Sequence, residues 1–112
     1  MSNDRYKNHN ELVNKVLLYV HANFTGRYWS NPTGAVKTKS GHFQRYGMKG
    51  STDIIGFTGQ GRAVFIEIKT GTGCLSVDQS NFKKIVEKNG CIHVVVRENF
   101  EECLENIGLI RR

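Results

Sequence analysis

In Asp53-Ile54-Ile55-Gly56-Phe57-Thr58-Gly59-Gln60-Gly61-Arg62-Ala63-Val64-Phe65-Ile66-Glu67-Ile68-Lys69, two apolar runs flank a short polar break. Each run is rich in β-branched and aromatic residues, and the break holds two glycines, so the stretch reads as a β-hairpin. A three-residue turn at Gly59-Gln60-Gly61 puts glycine at the left-handed position that such turns require. That turn sets Phe57 opposite Ala63, Ile55 opposite Phe65 and Asp53 opposite Glu67. Residues two apart on a strand share a face. Asp53, Ile55, Phe57, Phe65, Glu67 and Lys69 therefore share one face, and Val64, Ile66 and Ile68 take the other.

The register brings two carboxylates together, with Cβ atoms about 5 Å apart for directly opposed residues. Like charges so placed repel, and a divalent cation removes the repulsion. Oxygen donors of this kind suit Mg²⁺ or Mn²⁺. The chemistry assigned to the cluster gives Asp53 and Glu67 the metal, with the backbone carbonyl of Ile68 as a candidate further ligand. Lys69 is placed to position a nucleophile or a phosphate oxygen. Ser76 reads as a helix N-cap with Gln79 three residues on, the spacing of a capping box. Gln79 also lies on the apolar stripe of Phe82 and Val86, so it points toward the sheet as a candidate fourth site residue.

Outward from this core, residues 1–8 read as a flexible polar tail, and 9–112 as one domain. His9 to Phe24 has helical periodicity in Leu12, Val13, Val16, Leu17, Val20 and Phe24. Residues 27–36 suggest one strand bent at Pro32. Residues 37–50 carry the weakest structural signal: Lys37, Lys39, His42, Arg45 and Lys49 with Phe43 and Tyr46 between them, three glycines and no acid. Their composition marks Lys37, Lys39, Arg45 and Lys49 as candidate nucleic-acid contacts on a loop. After the hairpin come a helix from Ser76 to Asn89-Gly90, a buried strand from Cys91 to Val96, and a last helix capped by Asn99 with Phe100, Cys103, Leu104 and Ile107. The order αβββαβα describes an α/β fold, a mixed central β-sheet flanked by helices.

The chain has 16 Lys and Arg against 10 Asp and Glu, a formal charge of +6 over 112 residues. Such a surface attracts polyanions, of which nucleic acid is the commonest. The 3 cysteines lie at no metal-ligand spacing, which excludes a disulfide framework or a zinc finger. No apolar run approaches the ~20 residues needed to span a bilayer, and the start resembles no signal peptide, so a cytoplasmic location is expected.

Gly50-Ser51-Thr52-Asp53-Ile54-Ile55-Gly56, then Phe65-Ile66-Glu67-Ile68-Lys69, then Leu75-Ser76-Val77-Asp78-Gln79 resemble the virus-type replication-repair nuclease domain of the PD-(D/E)XK restriction-endonuclease-like superfamily. Asn31-Pro32-Thr33-Gly34-Ala35-Val36 and Arg45-Tyr46-Gly47-Met48-Lys49-Gly50 extend the resemblance, which covers nearly all of 9–107. It implies Mg²⁺- or Mn²⁺-dependent cleavage of DNA. It also implies branched substrates such as Holliday junctions, a homodimer, and a phage or bacterial setting. The superfamily's proline before the first aspartate is replaced by Thr52. The family's first helix carries an acidic residue that approaches the site. Glu11 is the only acidic candidate here, but it falls off the apolar stripe, where His9 stands instead. Two alternatives remain open. One is a nuclease with the same site acting as an exonuclease, nickase or flap cutter; the other is a basic, non-catalytic DNA-binding module.

Overall fold

The computed structural model describes residues 8–112. The expected tail therefore lies outside the described residues, except Asn8. That residue caps helix α1 (His9–Asn23) by accepting the Glu11 amide on its side chain at 2.8 Å. Strands β1 (Arg27–Ser30), β4 (Ile54–Phe57), β5 (Ala63–Ile68) and β6 (Ile92–Val96) form a four-stranded sheet in the order β1-β4-β5-β6. The first two pairings are antiparallel and β5 with β6 is parallel, so the sheet is mixed. Helix α2 (Val77–Lys88) makes the crossover between the parallel strands, and the short α3 (Phe100–Cys103) follows β6.

Helix α1 covers one sheet face. Leu12, Val13, Val16 and Val20 pack with Ile54, Val64, Ile66 and Ile68 in one core cluster. Phe100 and Leu104 join that core, with the Phe100 ring edge-on to Tyr19 at 5.4 Å. On the opposite face the Phe82 ring of α2 meets Phe65 at 5.2 Å and His93 at 6.4 Å. The predicted register holds: Phe57 pairs with Ala63 and Ile55 with Phe65. Gly61 adopts φ +83°, and Thr58 donates its amide to Arg62 and accepts that of Gly61, each at 2.9 Å.

The order αβββαβα needs correction. Residues 27–36 are two strands, because the chain leaves the sheet at Asn31-Pro32-Thr33 and re-enters extended structure as β2 (Gly34–Lys37). Strand β2 pairs antiparallel with β3 (Phe43–Tyr46), inside the stretch read as a loop. The two make a separate two-stranded sheet, here called the arm. The last helix stops four residues before Ile107; Asn106, at φ 57°, departs from helical backbone. Asn99 does not cap that helix with its side chain. No described helix is long and apolar enough to cross a membrane.

His93 is 9 % exposed, and among the described residues neither ring nitrogen has a hydrogen-bond partner. Burial, and then the charge of Lys83, hold its pKa below the ordinary 6.5. The folded state thus resists protonating this ring, and the resulting stability is present above pH 6.5 and lost as pH falls. His93→Leu is expected to keep or raise stability at pH 7, since it removes two unpaired polar atoms, and to flatten that acid-side loss. Thermal unfolding of both proteins at pH 5.5 and 7.5 checks this; an equal or steeper acid loss in the variant contradicts it.

Candidate active site

The site forms where β4 begins and β5 ends. Asp53 precedes β4, so its side chain is free of the ladder. Its Oδ2 accepts the backbone amide of Ile68 at 2.8 Å, closing the end of the hairpin with a carboxylate. Glu67 sits on β5 between Ile66 and Ile68 and is 3 % exposed. Its Oε2 accepts from Gln79 Nε2 at 3.2 Å and lies 3.8 Å from Lys69 Nζ. Its Oε1 is buried and has no hydrogen-bond partner among the described residues.

Burial, and next the negative charge of Asp53, push the Glu67 carboxyl up to about 8, against the downward pull of Lys69. The Lys69 ammonium is 2.9 Å from Gln79 Oε1. That same oxygen accepts the Ser76 amide at 2.9 Å, while Ser76 Oγ accepts the Gln79 amide. Gln79 therefore completes the capping box and braces the site at once. Its carboxamide orientation follows from chemistry, with oxygen toward donors and nitrogen toward the carboxylate.

Asp53, Glu67, Lys69, Gln79 and the Ile68 carbonyl thus come together as expected. Glu11 does not join them: its side chain makes no hydrogen bond or ion pair with any described residue. The residue of α1 that reaches the site is His9. Its Nε2 lies 3.2 Å from Asp53 Oδ2 and 3.2 Å from the Ile68 carbonyl oxygen. Sequence reading placed His9 on the inward stripe of α1 but gave it no role; that inward position at the first turn was the available signal.

Beside Asp53 and His9 opens a cleft of about 480 Å³, walled by Asn10, Asn14, Asn31 and Thr33. Asn31 is held there by bonds from its Nδ2 to Ser51 Oγ and the Thr52 carbonyl. Lys37 and Arg45 lie on the arm strands and Lys39 in the turn between them, and all three are exposed. Lys49 lies at the foot of the arm, 3.3 Å from Asp78 of α2.

The donor set fits a hard divalent cation. It offers two carboxylates, one with an unused buried oxygen, and the Ile68 carbonyl, whose oxygen meets the same His9 nitrogen as Asp53 Oδ2. No group of three or more His, Cys, Asp or Glu side chains that would hold a metal ion by itself exists among the described residues. A site with so few protein ligands leaves coordination positions for water and substrate, which is how Mg²⁺ is commonly held. Compared with known proteins, the chain matches no protein-family model and no curated protein, so its own residues carry the reading of the site.

Proposed function

We propose that this protein is a divalent-metal-dependent endodeoxyribonuclease of restriction-endonuclease-like architecture, acting on branched DNA. The observation that carries the reading is Glu67. A carboxylate buried to 3 % exposure, with one oxygen unpartnered and its neighbours chosen from Asp53, Lys69 and Gln79, is costly to stability and needs a chemical reason.

Asp53, Glu67 and the Ile68 carbonyl would hold Mg²⁺ or Mn²⁺. When bound, the ion neutralises phosphate charge and makes water a usable nucleophile near neutral pH. The protein supplies the rest. Lys69 donates to a non-bridging phosphate oxygen and stabilises the charge that grows there. Gln79 fixes Lys69 and Glu67 relative to each other, so neither has to be ordered when substrate arrives. The cleft beside Asp53 gives the chain flanking the scissile phosphate the amide and hydroxyl groups of Asn10, Asn14, Ser30, Asn31 and Thr33, with Val13 and Pro32 between them.

A homodimer belongs to the proposal. Trp29 and Phe57 are 48 % and 42 % exposed, with rings edge to face at 6.3 Å, on the half of the sheet that α2 leaves uncovered. They offer an apolar patch to a second copy. A monomer in sedimentation at micromolar concentration, with and without DNA, refutes that part.

The test of function is cleavage of an end-labelled four-way junction beside linear duplex and single strand, in Mg²⁺, Mn²⁺, Ca²⁺ or no metal. Paired cuts in the junction that require Mg²⁺ or Mn²⁺ support the whole reading. Metal-dependent cuts of equal rate in linear DNA keep the nuclease and remove the branch preference. Tight binding without cleavage under every metal favours a non-catalytic module.

A further inference from the structure

The arm is left without a task by the catalytic cluster. Among the described residues, strands β2 and β3 pair only with each other, and every arm residue from Ala35 to Tyr46 is exposed except the half-buried Thr38. An isolated hairpin is marginal in water, so an arm of this kind is an element waiting for a surface. Its two faces differ. Gly34, Val36, Gln44 and Tyr46 share one, with the Tyr46 ring laid over Gly34, where an added Cβ would come within 2.8 Å of the Tyr46 hydroxyl. Ala35, Lys37, Phe43 and Arg45 share the other. On that second face Phe43 is paired across the ladder with Lys37 and flanked two residues on by Arg45, and it is 76 % exposed.

Phe43 also stands next to the turn, so it reaches as far from the body as the arm does. That turn carries Lys39 and His42, and no acidic residue lies between Gly34 and Gly50. An exposed ring set among uncompensated cations matches the surface that binds nucleic acid by stacking and phosphate contact together. The foot of the arm is fixed to the body. Gly50 is packed so closely that a Cβ would lie 2.6 Å from the Asp78 carbonyl oxygen, and Lys49 pairs with Asp78 at 3.3 Å. The arm begins directly after Thr33, which walls the cleft at Asp53. The arm is thereby continuous in the chain with the wall of the cleft that opens at Asp53.

We propose that Phe43 is the branch-reading residue: the arm follows duplex DNA with Lys37, Lys39 and Arg45 on phosphates, while the Phe43 ring stacks on a base left unstacked at the branch point. This rests on the reading of the protein as a nuclease of branched DNA, and it names the part that does the selecting. A continuous duplex offers no open base face to the ring, whereas a junction or flap does.

The test is binding of the full chain, in Ca²⁺, to a four-way junction carrying 2-aminopurine at the branch point and to linear duplex. Wild type, Phe43→Ala, Phe43→Trp and the double variant Lys37→Ala with Arg45→Ala are compared. Wild type is expected to change the 2-aminopurine emission and to prefer the junction. Phe43→Ala is expected to lose the emission change and about tenfold in junction affinity, the scale of one aromatic–base stack, with duplex affinity kept. Phe43→Trp retains both. The double variant weakens both DNAs alike and lowers the salt slope by about two. Unchanged junction preference in Phe43→Ala overturns the proposal, as does the absence of any preference in wild type. Conversion of a wild-type dimer to monomer by Phe43→Ala also overturns it, because the ring is then a contact between copies. Because binding is read without cleavage, an inactive wild type that still shows the Phe43 effect sinks the nuclease reading and leaves the arm's role standing.

Discussion

Lys69→Ala is expected to lower the single-turnover rate of DNA cleavage on the order of 10²- to 10³-fold, while DNA affinity changes little. The lysine is 18 % exposed and held at its Nζ by Gln79 Oε1, so it is ordered before substrate binds. A preorganised cation in a water-poor site stabilises developing phosphate charge far more than a mobile surface lysine does, and removing one such donor costs roughly 3–4 kcal/mol of transition-state stabilisation. On the proposed reading, ground-state affinity rests instead on the cations and the exposed ring of the arm. Lys69→Arg is expected to recover little, because the planar guanidinium does not fit the position that Gln79 and Glu67 define for a point charge. Quench-flow rates at saturating enzyme separate the two effects. A Lys69→Ala protein with a wild-type rate removes Lys69 from the mechanism.

Glu67→Gln is expected to act in opposite directions on activity and stability. The amide is nearly isosteric and can still accept the bond from Gln79, so packing is kept. If Glu67 holds the metal as proposed, loss of the carboxylate removes a principal ligand, and cleavage should fall roughly 10³-fold or more, since the ion supplies several kcal/mol. Stability without metal should rise at high pH. In the folded wild type the Glu67 carboxyl is pushed up to about 8 from 4.5, so its contribution is fully present below pH 4.5 and lost as pH rises through 8. The variant stays neutral throughout and escapes that loss. Its melting temperature at pH 9 is expected to exceed that of wild type by roughly 5 °C or more for a domain of this size. Differential scanning calorimetry in EDTA at pH 5, 7 and 9 resolves it, and a variant less stable than wild type at pH 9 contradicts the burial of a strained carboxylate.

The hairpin that carries Asp53, Glu67 and Lys69 was legible because its turn has chemistry of its own. Thr58-Gly59-Gln60-Gly61-Arg62 demands a left-handed glycine, and the apolar alternation beside it admits one register. Thr38-Lys39-Ser40-Gly41-His42 is the same pattern, with Gly41 at φ +88° and the same pair of turn bonds, yet only Gly34–Val36 of the arm it closes carries a strand expectation, and β3 falls in a stretch that reads as a loop. The difference lies in the flanks. Strands β2 and β3 bury almost nothing, so they show no alternation of apolar and polar residues. Gln79 was found through its capping-box spacing, which is local, and its site role followed from the stripe it shares with Phe82. The helical stripe shows His9 facing inward, but its contact with Asp53 depends on where α1 crosses the sheet, a tertiary relation that the stripe alone does not encode. His93 was hidden in the apolar run Cys91–Val96, where a single polar residue does not disturb a buried-strand pattern.

The claim on which the rest depends is that Asp53 and Glu67 form a metal site. The direct measurement is calorimetric titration of Mn²⁺ into the DNA-bound Lys69→Ala protein, at pH 7 in two buffers of different ionisation enthalpy. The Glu67 carboxyl is pushed up to about 8 in the wild type, and Lys69→Ala removes a downward pull on it, so binding is expected to release about one proton as the carboxyl ionises, and affinity should rise with pH. Adding Glu67→Gln should abolish both the binding and the proton release. Equal Mn²⁺ binding with and without Glu67→Gln, or no binding at all beside DNA, would contradict it.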